Sequence, residues 1–219
     1  MLEEKLVDLK KELISYASLV EMMVEQAIRG LQKRDDNLLK EVIAKDETVA
    51  NTREIELDEF CTTMIAQFQP KAKNLRTILM ALRMISDLER MADHAVNIAQ
   101  ASQYLIGQQP LKPLIDIPRM SETTVAMLKD AIDSFINEDA VLAKTVCERD
   151  NVVDGLKDQI LRELITYMSN DNKVIERAIQ LINISRNLER IADLSTNICE
   201  EVLFMVEGRE IRHHAEDIK

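Results

Sequence analysis

The 219-residue chain carries 28 Lys and Arg against 39 Asp and Glu, a net charge of −11, with 46% apolar and 31% charged residues. Only 4 Gly, 4 Pro and 3% aromatics are present, which excludes disorder, collagen-like repeats and a sandwich of many short strands. The sign of the charge argues against a reader of phosphate backbones, so no nucleic-acid partner is expected.

From the N-terminus, Met1-Leu2-Glu3-Glu4-Lys5-Leu6 places acidic residues where a signal peptide needs a basic flank. No later run approaches the roughly 18 uninterrupted apolar residues of a membrane span. A cytoplasmic chain with no membrane insertion is expected. Helical periodicity and its breakers predict six helices, at about 3–30, 36–68, 71–106, 120–136, 138–168 and 172–206. Gly30 precedes the polar stretch Gln32 to Asn37, and Pro70 separates the second and third helices. Gly107, Pro110, Pro113 and Pro118 crowd into the one credible linker, and no proline follows. Beyond it, Ser121 and Asn137 are predicted N-caps, Ser169 to Asn172 is a polar break, and Gly208 closes the last helix. No segment alternates at period two for long enough to form a strand.

The fold class expected is all-α. Residues 1–106 form a first three-helix bundle, 107–119 the linker, 120–208 a second bundle and 209–219 a tail, each bundle carrying its own core. In the last helix Val174, Ala178, Leu181, Leu188, Ile191, Ala192, Ser195, Ile198 and Val202 recur at three and four, giving one core-facing stripe. Met22, Met23, Met64, Met80, Met84 and Met91 read as bundle core. Cys61, Cys147 and Cys199 are odd in number and lie far apart in the sequence, which argues against a disulfide framework or a zinc-thiolate site.

The two halves are related by an internal repeat. Asp87-Leu88-Glu89-Arg90-Met91-Ala92-Asp93-His94-Ala95-Val96-Asn97-Ile98 recurs as Asn187-Leu188-Glu189-Arg190-Ile191-Ala192-Asp193-Leu194-Ser195-Thr196-Asn197-Ile198, at an offset of 100 residues. Another acidic helix precedes each copy, with Glu47, Asn51, Glu54 and Asp58 in the first half and Asp150, Asp154 and Asp158 in the second.

Residues at i, i+4 and i+8 share one helix face. With Leu188 at zero, Glu189, Asp193 and Asn197 fall near about 100°, 140° and 180°, flanking the core stripe. Like charges at this spacing cost a few tenths of a kcal/mol per pair, and a cation would offset that cost. Oxygen-only ligands suit hard ions such as Mg²⁺, Ca²⁺, Mn²⁺ or Fe³⁺. The plain alternative is a solvated acidic face.

These residues resemble the PhoU family of phosphate-uptake regulators, the accessory proteins of the phosphate-specific ABC transport system. The likeness is carried by Ser86 to Ala99, by Ile184 to Asp193, by Gln69-Pro70 with Asn74-Leu75-Arg76, by Arg162 to Met168 and by Glu207 to His213, and runs over nearly the whole chain. The resemblance implies two three-helix bundles related by a pseudo-twofold, a homodimer, and multinuclear iron or zinc clusters. It also implies a cytoplasmic, non-enzymatic role restraining the phosphate-starvation response through a sensor histidine kinase and the transporter's ATPase. Carried over residue by residue, the metal ligands would be Glu54, Asp58, Glu89 and Asp93 in the first half, and Asp150, Asp154, Glu189 and Asp193 in the second. The chain departs from the pattern at Leu194, where a His is common, and at Asn51. It departs again at Lys157 and Leu161, which fall where the first half has Glu54 and Asp58.

His94 points away from the acidic row by the same helical arithmetic and reads as a structural histidine. Glu210-Ile211-Arg212-His213 matches one Glu-x-x-His, but a di-iron bundle needs two, with two further glutamates. Two other classes use the same carboxylates: a metal-dependent hydrolase in which the bound ion activates water, and a metal-free helical adaptor.

Overall fold

The structure, a computed structural model, describes residues 1–207. Among them every regular element is helical: α1 (Leu2–Lys33), α2 (Asp36–Glu41), a π turn (Val42–Asp46), α3 (Glu47–Phe68), α4 (Ala72–Ile106), α5 (Asp116–Asn137), α6 (Ala140–Asn170), a 3₁₀ turn (Asn172–Val174) and α7 (Ile175–Glu207). No helix is long and apolar enough to cross a membrane. The expected closing Gly208, the Glu210 to His213 motif and the 209–219 tail lie outside the described residues.

Local chemistry explains where the helices begin and end, and corrects several expected boundaries. Gly30 does not end α1. An added Cβ there would lie 2.5 Å from Leu39 Cδ2, so this glycine serves the close approach of α1 and α2. The helix runs on to Arg34, whose left-handed backbone (φ 55°) turns its N–H back onto the Gly30 and Leu31 carbonyls. The expected helix 36–68 is α2 and α3 joined by the π turn, in which Asp46 is buried and its Oδ2 has no hydrogen-bond partner.

The linker is shorter than the prolines suggested. Pro118 lies in the first turn of α5, where a missing N–H breaks no helical bond. Ser121 is therefore a buried residue inside α5 rather than its cap. The cap of α6 is Asp139 rather than Asn137: its Oδ1 accepts from Val141 N at 2.9 Å and Leu142 N at 3.0 Å.

The long apolar stripes converge on one continuous buried cluster that runs through both halves, from Leu13 and Tyr16 through Met84 and Met91 to Leu188 and Ile198. Met23, Met64, Met80, Met84 and Met91 join it, whereas Met22 stays exposed. The halves are thus stitched rather than merely adjacent. Lys10 Nζ on α1 donates to the Ile136 carbonyl of α5 at 2.8 Å. Helices α4 and α7 run antiparallel, since Arg83 pairs with Glu201, His94 Nδ1 meets Asn187 Oδ1 at 2.9 Å, and Tyr104 Oη donates to Glu176 at 2.7 Å. The linker is fastened at both sides. Arg34 donates to the carbonyls of Ile106 and Gln108, Arg177 to that of Gln109, and buried Lys112 pairs with Glu163.

Candidate functional site

The repeated signature places one acidic face on each half. Leu88, Met91, Ala92 and Ala95 turn into the core, as do Leu188, Ile191, Ala192 and Ser195. That burial leaves Glu89 and Glu189 half-buried at the seam with the neighbouring helix, and Asp93 and Asp193 exposed one turn further. The acidic rows therefore flank the core stripe, as the helical arithmetic required.

In the first half, Glu54 of α3 comes up to Glu89 and Asp93 of α4. Burial, then the charges of Asp93 and Glu54, push the Glu89 carboxyl above its ordinary value, with Arg90 opposing. Beneath them stands Tyr16 of α1, fully buried, its hydroxyl without a hydrogen-bond partner. Burial and then the fields of Glu89, Glu54 and Asp93 raise that phenol above its usual range. Asp58 is not brought into this group. It is exposed one turn along α3, and its charge falls on Cys61, whose thiol burial pushes up to about 12.

In the second half, Asp150 and Asp154 of α6 meet Glu189 and Asp193 of α7. Loss of solvent, then Asp193, Asp154 and Glu189, push the Asp150 carboxyl up to about 6, while Lys157 opposes. Partial desolvation, then Glu189 and Asp154, likewise raise Asp193. The same cluster holds a cation of the chain itself. Lys157 Nζ donates to Asp154 Oδ1 at 2.7 Å and to Glu189 Oε1 at 2.9 Å, tying α6 to α7.

The two faces fit a metal ion unequally. The first offers carboxylates with no amine among them, over an orphaned buried hydroxyl. In the second an ammonium already lies between the carboxylates of two helices. As they stand, the acidic residues form rows rather than cages: among the described residues, no group of three or more His, Cys, Asp or Glu is arranged to hold an ion.

Two features escaped the sequence. Tyr16 sits on the apolar stripe of α1, where nothing marks it as facing carboxylates. Cys147 of α6 and Cys199 of α7, distant in sequence, meet in space, and their hydrogen bond lowers the Cys147 thiol while raising that of Cys199. His94 is structural: half-buried, it spans α4 and α7 to Asn187, and burial holds its pKa below the ordinary value.

Each half of the chain matches one known domain. The PhoU domain matches residues 13–102 and again 117–202. The chain belongs to the PhoU family. A relative from Aquifex aeolicus, the phosphate-specific transport system accessory protein PhoU homolog, is 40% identical over 210 residues, covering 96% of this chain and 95% of its own. The phosphate-specific transport system accessory protein PhoU of Escherichia coli is 32% identical over 95% of this chain and 86% of its own. Among solved structures, PhoU from Pseudomonas aeruginosa superposes with a TM-score of 0.89 at 33% identity, covering 95% of this chain and all of the other. The Streptococcus pneumoniae PhoU structure shares the fold, with a TM-score of 0.88 at 24% identity.

Proposed function

We propose that this PhoU-family protein is an accessory regulator of phosphate transport, a cytoplasmic homodimeric adaptor that links the phosphate ABC transporter's ATPase to a sensor histidine kinase and restrains the phosphate-starvation response. The observation that carries this reading is the pair of domain matches over relatives named as accessory proteins of phosphate transport, at nearly full length on both sides. A non-enzymatic role is supported by relatives named as accessory proteins of phosphate transport.

Within this role the first acidic face, Glu54, Glu89 and Asp93 over Tyr16, would hold a hard or borderline cation, with iron or zinc the family's expectation. Such an ion would cancel the repulsion between α3 and α4. Association with partners is expected to be partly electrostatic, because the chain is strongly acidic.

The test is genetic and biochemical together. Deleting the gene should derepress a phosphate-starvation reporter in phosphate-replete cells, and tagged protein should co-purify with the transporter ATPase or the kinase in a phosphate-dependent way. A reporter that stays repressed, with neither partner recovered in either condition, would refute the reading.

A further inference from the structure

The internal repeat makes the two acidic faces comparable position by position, and one position reverses the charge. Lys157 on α6 stands where the first half has Glu54 on α3, while Asp150 and Asp154 stand at the positions of Glu47 and Asn51. Arg90 and Arg190 occupy the same place in each copy.

The Lys157 side chain is only a quarter exposed, and its two bonds reach carboxylates of different helices, Asp154 one turn before it and Glu189 across the α6–α7 seam. Both are charge-assisted and of ordinary length for N⁺–H···O⁻. The charge of this one ammonium is also felt at the Asp150 and Asp193 carboxyls, where it opposes the rise in their pKa. A flexible surface lysine would spend its rotamer entropy for little gain. A lysine held at two points between helices replaces the repulsion of the cluster with attraction.

We propose that the ε-ammonium of Lys157 is the resident cation of the second acidic face, so that this face is closed by the chain itself and takes no metal ion. Cation dependence then belongs to the first face alone; only this last step rests on the proposed metal reading of that face. An arriving divalent ion would meet a fixed like charge and would have to break two hydrogen bonds to reach the oxygens.

The experiment uses the full chain in four forms: wild type, Lys157→Met, Glu89→Ala/Asp93→Ala, and Glu89→Ala/Asp93→Ala/Lys157→Glu. Thermal melts in chelator, metal content after loading with Zn²⁺ or Mn²⁺ and desalting, and the ¹H–¹⁵N signals of lysine ammonium groups are read on each. In chelator, Lys157→Met should melt about 2–4 °C below wild type, the shift of roughly one kcal/mol for a chain of this size. The ammonium of Lys157 should give a slowly exchanging signal that metal does not move. Glu89→Ala/Asp93→Ala should bind no ion, and adding Lys157→Glu should restore uptake at the second face.

The proposal is overturned if the Lys157 signal shifts or vanishes when metal is added, or if Glu89→Ala/Asp93→Ala still loads metal through Glu189 and Asp193. It is overturned equally if Lys157→Met melts with wild type in chelator. Should no form bind any ion, the metal reading of the first face falls. The chelator melt and the ammonium signal then decide the role of Lys157 by themselves.

Discussion

The first and second halves share a backbone plan and most of a twelve-residue signature, yet they resolve the same electrostatic problem differently. In the first, Glu54, Glu89 and Asp93 face one another with Arg90 tempering Glu89, and a buried tyrosine hydroxyl lies below without a hydrogen-bond partner. In the second, Lys157 bridges two of the acids. The same contrast appears at the seam between halves. His94 reaches Asn187, whereas the equivalent positions in reverse order, Leu194 and Asp87, carry a buried apolar side chain and a half-buried acid. Duplication preserved the helices and their stripes, while single substitutions on flanking positions changed what each face can do.

The largest expected effect tests the seam. Leu194 is 3% exposed inside the common core, so Leu194→Ala should cost about 2–4 kcal/mol through lost burial and a cavity. His94→Ala, at the same place in the other repeat, should cost only about 1 kcal/mol, because it removes one hydrogen bond at a half-buried site. Denaturant melts of the two variants compare the positions directly, and equal losses would break the contrast.

Next in size is the response to metal. At a hundredfold excess over Kd, wild type should gain about 2.7 kcal/mol, and Glu89→Ala/Asp93→Ala should lose that gain. In chelator the double variant should match or exceed wild type, since it removes two like charges. Scanning calorimetry with and without metal reads both signs, and a double variant that melts below wild type in chelator would show that repulsion is not the governing term.

The smallest effect concerns pH. Asp150 titrates near 6 in the fold, raised by loss of solvent and by Asp193, Glu189 and Asp154 against the pull of Lys157, but near 4 in the unfolded chain. The fold thus binds the proton more tightly. This contribution to stability is fully present below about pH 4 and is lost as pH rises through about 6. Asp150→Asn should therefore gain on wild type in melting temperature between about pH 4 and 7, and a difference that stays flat would place Asp150 in water.

Much of this was legible from the chain. The six-helix plan and the acidic rows beside the core stripe follow from periods of three and four, because burial of an apolar stripe dictates which residues stay outside. Caps were less legible: Asn137 and Asp139 are both capable, and the left-handed turn at Glu138 selects the second. Gly30 looked like a terminator because its tight contact with Leu39 depends on how α2 folds back on α1.

By itself, then, the sequence determined the helices, their faces and the repeat, since these depend on neighbours within one or two turns. Tertiary structure decided which acids meet. The charge of Glu54 reaches Glu89 across the α3–α4 seam, that of Asp58 falls on Cys61 of its own helix, and Lys157, which looks like an interruption of the acidic pattern, joins two of its acids. Those outcomes depend on how α3 lies against α4 and α6 against α7, and electrostatic interaction falls with distance through space rather than along the chain.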